Sequence, residues 1–181
     1  MSDRYIFRYI IILVLIVSLL LSGAALLLKP YQDMNKKNEQ RINILKAAGI
    51  IGVDKHNAEQ LFNQHCTATH DGELPYYIID DKVTVIPMQG NGLWGPIWGY
   101  IGLSEDYQTV VGAVFDHKSE TPGLGAEITT EGFQSQFSGR EMKDYSVEVD
   151  AIAGATRTSD GVKDMIKNTL EAYKPVFERH E

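Results

Sequence analysis

The sequence predicts an α+β protein in which a β-sheet is flanked by helices and is preceded by one N-terminal transmembrane helix. Residues 9–28 carry no charge and are long enough to cross a bilayer as a helix. Residues 82–88 and 108–115 are rich in β-branched side chains, which predicts strands. Apolar residues then recur at three- and four-residue spacing, which predicts a helix from about residue 160. These residues are Val162, Met165, Ile166, Leu170 and Tyr173.

The composition excludes several classes of protein. The net charge is −7, so the basic surface that nucleic-acid binding requires is absent, and we expect no nucleic-acid partner. The only cysteine is Cys66, so neither an internal disulfide nor a cysteine-ligated iron–sulfur cluster can form within the chain. His65, Cys66 and His70 lie close together in sequence, but no second cluster completes a tetrahedral site, and we expect no metal.

The apolar N-terminal stretch favours a membrane anchor. It is bracketed by Arg8 and Lys29, and its length exceeds the usual apolar region of a secretory signal. A cleaved signal peptide and a buried helix are the alternatives. The predicted division is a tail at 1–8, a transmembrane helix at 9–28, a helical linker at 29–56 and a domain at 57–181. The count of basic residues on either side, taken alone, leans towards a cytoplasmic C-terminal domain.

Between the anchor and the last helix, local patterns predict further elements. Residues 38–48 are expected to form a helix that Gly49 ends, and a short helix is expected at about 57–64. In residues 90–100, four glycines alternate with aromatic residues. Glycine lets the backbone approach a flat ring and tryptophan can stack on one, so Trp94 and Gly95 are candidate ligand residues. Trp98 and Tyr100 could stack in the same way or belong to the core.

Two further segments lead towards the C-terminus. Pro122 and Gly123 predict a turn, and the glycines on either side of Leu124 would expose backbone amides to a ligand, although a simple hairpin turn is the alternative. Residues 146–150 alternate valine with polar residues and resemble a strand. Pro175 is expected to close the last helix.

Residues 150–159 form a small, hydroxyl-rich turn into the last helix. The amides at the start of that helix would point back at Thr156, Thr158 and Ser159, and together with the helix dipole they would favour a phosphate. Gly154 and Ala155 have little bulk, so the hydroxyl of Thr156 would be open to a large incoming group. An ordinary turn capped by Thr158 or Ser159 explains the helix start without a ligand.

These residues also resemble a known family. Asp150, Ala153, Gly154, Ala155 and Thr156 are similar to the flavinylation motif Asp-x-x-Ser/Thr-Gly-Ala-Thr of FMN-binding domains, with Ala153 where Ser or Thr is usual. The resemblance implies that a separate flavin transferase esterifies the phosphate of FMN to Thr156. A second hallmark of the family implies contacts with the isoalloxazine ring. Its residues here are Glu120, Thr121, Pro122, Gly123 and Leu124.

Two more segments, residues 43–49 and 92–96, resemble the NqrC family of the sodium-pumping NADH:quinone oxidoreductases (Nqr). The resemblance implies an electron-carrying component anchored in the bacterial inner membrane, with the flavin domain on the periplasmic side and other membrane subunits of the Nqr complex as partners. No Gly-x-Gly-x-x-Gly follows a strand, so no NADH site is expected. The alternatives are the homologous RnfG component of the Rnf complex and a membrane-tethered module that binds a phosphorylated ligand without covalent chemistry.

Overall fold

The structure, a computed structural model, describes residues 3–72 and 74–180. The chain divides into two compact units, residues 1–39 and 40–181. Within the residues that the structure describes, four α-helices and five strands follow one another with two short 3₁₀ turns, Gly125–Thr129 and Ser135–Phe137. The helices are α1 (Asp3–Ala47), α2 (Ala58–His65), α3 (Glu131–Gln134) and α4 (Thr156–His180). The predicted α+β class, with a sheet, flanking helices and a long apolar first helix, is confirmed.

The first helix, α1, contains the predicted membrane span. Its apolar part has a mean hydropathy of 3.0 and none of it is buried, so by length and composition it meets the requirements of a helix that crosses a membrane. The helix predicted at residues 38–48 is the C-terminal end of α1 and not a separate element. The amides of Gly49 and Ile50 bond back to the carbonyls of Lys46 and Leu45, and Gly49 has a φ of 79°, as expected of a glycine that ends a helix.

The five strands form one antiparallel sheet in the order β1-β2-β3-β4-β5. They are β1 (Cys66–Asp71), β2 (Leu74–Ile79), β3 (Val83–Asn91), β4 (Pro96–Leu103) and β5 (Val110–His117). The strands predicted at 82–88 and 108–115 correspond to β3 and β5, and the helix predicted at 57–64 corresponds to α2. Sequence reasoning missed β1, because none of its side chains is buried and they show no apolar alternation.

Both faces of the sheet are covered. Ile86 and Ile101 belong to the core that α4 completes, whereas Val85, on the opposite face, packs with Ile44 and Leu45 from the end of α1. Burial on both faces explains why β3 has three consecutive buried residues instead of a simple alternation.

The end of α1 lies very close to strand β4. A β-carbon placed on Gly102 would lie 2.2 Å from the carbonyl oxygen of Ala47, so a residue with a side chain would clash with the end of α1. Ile44, Leu45 and Ala47 have no solvent exposure. The predicted division at residue 57 stays a prediction, but these residues, which it assigned to a linker, are part of the core of the unit that begins at Gln40.

Two expectations for the C-terminal region are wrong. Pro175 does not end α4, which continues to His180, because Val176 and Phe177 bury their side chains in the core and stabilise the extra turn. Residues 146–150 do not form a regular strand, although Val147 and Val149 are buried. The backbone of residues 139–142 instead bonds to Val110, at the start of β5, and to Gln108 just before it.

Candidate functional site

Three segments meet at the N-terminal end of α4: the connection between β3 and β4 at residues 92–95, the loop at 117–125, and the turn at 150–156. They are the segments in which the sequence predicted ligand residues. The structure brings them together through the side chain of Glu120, which comes from the middle segment and bonds to the first segment and to α4.

Glu120 is buried, with an exposure of 4%. Its Oε1 accepts a hydrogen bond from the backbone amide of Trp94 at 2.8 Å, and its Oε2 accepts one from the hydroxyl of Thr158 at 2.6 Å. The carboxyl group therefore joins a backbone group of the β3–β4 connection to a side chain in the first turn of α4. Sequence reasoning placed Glu120 and Thr158 at the site, but it could not predict that they bond to each other across 38 residues.

The carboxyl group also explains two of the motif glycines. A β-carbon on Gly92 would lie 2.5 Å from Oε1 of Glu120, and one on Gly125 would lie 2.4 Å from Oε2. A side chain at either position would therefore displace the Glu120 carboxyl group from its place. The sequence predicted that the glycines of residues 90–100 let the backbone approach a flat ring and that those beside Leu124 expose amides to a ligand. At Gly92 and Gly125, however, the space next to the backbone is occupied by the Glu120 carboxyl group.

The loop that supplies Glu120 turns immediately afterwards. The amide of Leu124 bonds to the carbonyl of Thr121 at 3.1 Å, and Gly123 has a φ of 75°, so residues 121–124 form a turn with Pro122 and Gly123 in its centre. The predicted turn is confirmed, but the hairpin alternative is wrong because the chain continues into a 3₁₀ turn and not into a strand. Thr121, Pro122 and Gly123 are exposed.

The segment before α4 also turns tightly. The amide of Ala155 bonds to the carbonyl of Ile152 at 3.0 Å, with Gly154 at a φ of 77°. This is the geometry of a type II turn, whose third position favours glycine. A β-carbon on Gly154 would lie 3.0 Å from Cδ2 of Leu124, so Leu124 of the neighbouring loop lies directly against this turn.

The helix begins at Thr156, four residues earlier than predicted. Ser159 fixes this start, because its hydroxyl accepts a hydrogen bond from the amide of Ile152 at 3.0 Å and donates one to the carbonyl of Ala155 at 3.1 Å. Ser159 and Thr158 are each 1% exposed. Their hydroxyls are therefore engaged inside the protein, and the role in cofactor binding that the sequence suggested for them stays a prediction.

The N-terminus of α4 is arranged to accept an anion. Ala155, the residue before the helix, has a methyl side chain that cannot cap the first amides, and the first turn contains no acidic residue. Thr156 is exposed, and so is Arg157. A negatively charged group next to Thr156 would be stabilised by the free amides and by the positive end of the helix dipole.

Three large apolar side chains are exposed on the segments that surround this helix end. Trp94 is 66% exposed, Leu93 is 44% exposed and Leu124 is 41% exposed. The backbone of Trp94 is held on both sides, since its amide bonds to Glu120 and its carbonyl accepts a hydrogen bond from the hydroxyl of Ser119 at 3.1 Å. Exposed apolar groups that lie close together are typical of a binding or interaction surface.

The other residues of the predicted flavinylation motif lie in the turn before α4, and Gly95 lies in the β3–β4 connection. Asp150 has an exposed side chain, and its amide bonds to the side chain of Gln136 at 2.9 Å. Ala153 and Gly154 are exposed, whereas Ala155 is buried. Gly95 lies next to Ser119, whose hydroxyl oxygen would be 2.3 Å from a β-carbon at that position. Direct contacts of these residues with a cofactor stay predictions.

Trp98 and Tyr100 lie elsewhere. Tyr100 packs beside the cluster formed by the end of α1, and both residues line a separate cavity of about 560 Å³ that also borders Tyr173. Burial raises the pKa of Tyr100 to about 12, and the neighbouring Tyr77 adds to the shift. They are therefore not part of the surface around Thr156.

Of the residues considered as metal ligands, His65 makes another interaction and Cys66 is a poor ligand. Nδ1 of His65 lies 2.7 Å from a carboxylate oxygen of Asp80. Burial raises the pKa of the Cys66 thiol to about 11, so it is protonated at neutral pH and is a poor ligand in that state. Within residues 3–72 and 74–180, no three His, Cys, Asp or Glu side chains are grouped in a way that could hold a metal ion.

Comparisons with known proteins agree with this geometry. Residues 92–171 match the FMN-binding domain family, and this range contains all three segments of the site. The chain is 27% identical to the NqrC protein of the Na⁺-translocating NADH-quinone reductase of Haemophilus ducreyi, over 87% of this chain and 86% of that protein. It is 34% identical to the corresponding protein of Chlamydia pneumoniae, over 53% of this chain and 40% of that protein.

A solved structure has a similar fold. The crystal structure of the NqrC protein from Parabacteroides distasonis superimposes with a TM-score of 0.71 at 28% identity, covering 83% of this chain and 96% of that one. The chain is thus similar to NqrC proteins of the Na⁺-translocating NADH-quinone reductases over most of its length, and it contains a match to the FMN-binding domain family. The four segments that resembled NqrC have two structural roles: residues 43–49 pack against the sheet within the unit that begins at Gln40, and the other three form the surface around Thr156.

Proposed function

We propose that this NqrC homologue is a membrane-anchored flavoprotein that carries electrons within a Na⁺-translocating NADH:quinone reductase, through an FMN esterified by its phosphate to Thr156. The observation that carries the proposal is the exposed hydroxyl of Thr156 at the uncapped N-terminus of α4, next to three exposed apolar side chains. The match to the FMN-binding domain family and the similarity to NqrC proteins support it.

The residues at this end of α4 suit both parts of FMN. The helix amides and the dipole favour the phosphate, and no acidic side chain in the first turn opposes it. Leu124, Leu93 and Trp94 provide exposed apolar surface for the ring. When bound, FMN supplies one- and two-electron redox chemistry, while the protein provides position and electrostatics.

The attachment step uses the Thr156 hydroxyl as the nucleophile. Its oxygen would bond to the phosphorus of an FMN donor whose phosphate is part of a phosphoanhydride. The oxygen would displace the group on the far side of the anhydride bond, and the transferase would take up the hydroxyl proton. Gly154 and the buried methyl of Ala155 leave the approach to this hydroxyl free of bulky side chains.

The anchor and the partners follow from the same assignment. The apolar part of α1 would hold the protein in the bacterial inner membrane as a single span, with the flavin domain on the periplasmic side. The other membrane subunits of the complex would deliver and remove electrons, and a flavin transferase would be needed for maturation. A reporter fused to the C-terminus, active only outside the cytoplasm, tests the sidedness, and reporter activity in the cytoplasm would refute it.

The central test is the intact mass of the full-length chain expressed with and without a flavin transferase. We expect a gain of one esterified FMN in the wild type with the transferase and none in Thr156→Val. Because the Thr156 side chain is exposed, the free energy of unfolding of Thr156→Val should stay within about 0.5 kcal/mol of the wild type.

The matched control is Thr121→Val, which removes another exposed hydroxyl from the same site by the same substitution. It should keep the covalent flavin. If the wild type stays unmodified while the transferase flavinylates a known acceptor, the covalent proposal fails and non-covalent binding of a phosphorylated ligand becomes the better description.

A further inference from the structure

Glu120 is the one carboxyl group in the described part of the chain that is buried, and it bonds both to the segment at residues 92–95 and to the first turn of α4. The family resemblance suggested that it contacts the flavin ring. Its oxygens, however, point at the amide of Trp94 and at the hydroxyl of Thr158, at 2.8 and 2.6 Å. Both distances are those of short, well-formed hydrogen bonds.

We propose that Glu120 is a positioning residue for the flavin site: its carboxyl group fixes the Trp94 segment to the first turn of α4 and so sets where the ring-binding surface stands relative to the Thr156 hydroxyl. This inference rests on the proposed function. It assigns Glu120 a role that acts through the backbone of Trp94 and through Thr158, and not through contact with the ring.

Glu120 is linked to Trp94 and to Thr158 by one hydrogen bond each. Thr158 lies two residues beyond Thr156 in the same helical turn, so fixing its hydroxyl also fixes the start of α4. At the other end, the bond to Glu120 holds the amide of Trp94, whose indole is 66% exposed. One carboxyl group therefore links the proposed acceptor helix to the largest exposed aromatic side chain of the site.

The surroundings of Glu120 allow it little freedom. Its carboxyl group fills the space beside Gly92 and Gly125, where an added β-carbon would lie within 2.5 Å of one of its oxygens, and its own amide donates a hydrogen bond to Nδ1 of His117 at 3.2 Å. A side chain confined in this way keeps a single geometry, which is what a positioning role requires. Loss of the carboxyl group would leave the Trp94 amide without its acceptor and release the segment from the helix.

Two substitutions of Glu120 separate the loss of its two hydrogen bonds from the loss of its charge. In Glu120→Gln, the amide oxygen can accept from Trp94, and the amide nitrogen can donate to Thr158, because a hydroxyl can act as donor or acceptor. Both connections are therefore kept. In Glu120→Ala both are lost. Leu170→Ala serves as the stability control, since Leu170 lies in the core, has no exposure and does not belong to the site.

The experiment measures two quantities on the full-length chain in detergent: the hydrogen exchange of the Trp94 amide before flavin is added, and the rate of flavin transfer to Thr156. We expect Glu120→Ala to exchange this amide about tenfold faster and to accept flavin about tenfold more slowly than the wild type. Glu120→Gln should remain within about twofold in both. Leu170→Ala should lower the melting temperature without slowing transfer below its unfolding transition.

The outcomes are distinguishable. Flavin transfer at the wild-type rate in Glu120→Ala would overturn the positioning role, and so would a Glu120→Gln variant as slow as Glu120→Ala or a Leu170→Ala variant slowed to the same extent. A wild type that accepts no flavin would instead refute the proposed function, while the exchange of the Trp94 amide would still report whether Glu120 holds this segment.

Discussion

The two ends of α4 differ in what their buried residues do. At the N-terminal end, the buried side chains of Thr158 and Ser159 are polar and bond to other segments, and the neighbouring Thr156 is exposed. Towards the C-terminal end, the buried residues are apolar or aromatic and complete the core. These residues are Leu170, Tyr173, Val176 and Phe177. The N-terminal end of α4 thus belongs to the candidate site, and its C-terminal end stabilises the core.

The comparison teaches that burial alone does not separate core from site. Thr158 is as buried as Leu170, yet its contribution is a specific hydrogen bond to Glu120 and not apolar area. Substitutions at the two ends should therefore differ in size and in what they affect.

The largest effect on stability is expected in the apolar half. Leu170→Ala should lower the free energy of unfolding by about 3 kcal/mol, because it removes buried methyl groups and leaves a cavity. Chemical denaturation measures this loss. Lys167→Ala, on the exposed side of the same helix, should stay within about 0.5 kcal/mol. Equal losses for the two variants would contradict the assignment of this half of α4 to the core.

A smaller effect is expected in the polar half. Thr158→Val keeps the shape of the side chain but leaves Oε2 of Glu120 buried without its donor, which should cost about 2 kcal/mol. Thr158→Ser retains the hydroxyl and should recover most of that loss. If Thr158→Val were as stable as the wild type in the same denaturation measurement, the hydrogen bond to Glu120 would not be the contact that holds this end.

The smallest effect at neutral pH is expected at Tyr173, a buried aromatic residue of the apolar half whose hydroxyl also makes a hydrogen bond. Its hydroxyl donates a hydrogen bond to the carbonyl of Pro75 at 2.6 Å, so Tyr173→Phe should cost about 1 kcal/mol. Thermal denaturation at pH 7 measures this difference.

Tyr173 also makes a pH-dependent prediction. Burial, with a contribution from Tyr77, raises the pKa of Tyr173 from 10.0 to about 12. Since the neutral phenol is favoured in the folded state, its contribution to stability is complete below pH 10 and is lost as the pH rises from 10 to 12. Tyr173→Phe should lose less stability than the wild type across this interval, and parallel curves for the two proteins would contradict the prediction.

Much of the fold could be predicted from local patterns. The amphipathic spacing of Val162, Met165 and Ile166 predicted α4, and β-branched runs predicted β3 and β5, because periodicity reflects which face of an element is buried. Pro175 misled the prediction, since a local rule says that proline ends a helix while the burial of Val176 and Phe177 stabilises its continuation. Tertiary packing outweighed local preference at that position.

The sequence by itself determined the long apolar helix, the α+β class and the three segments of the site, because each depends on residue types that are close together along the chain. Only the tertiary structure decided how those segments are joined. Glu120 and Thr158 are 38 residues apart, and no local spacing indicates that one carboxyl group accepts hydrogen bonds from both Thr158 and Trp94. A hydrogen bond depends on distance in space, and folding alone brings these atoms within 3 Å of one another.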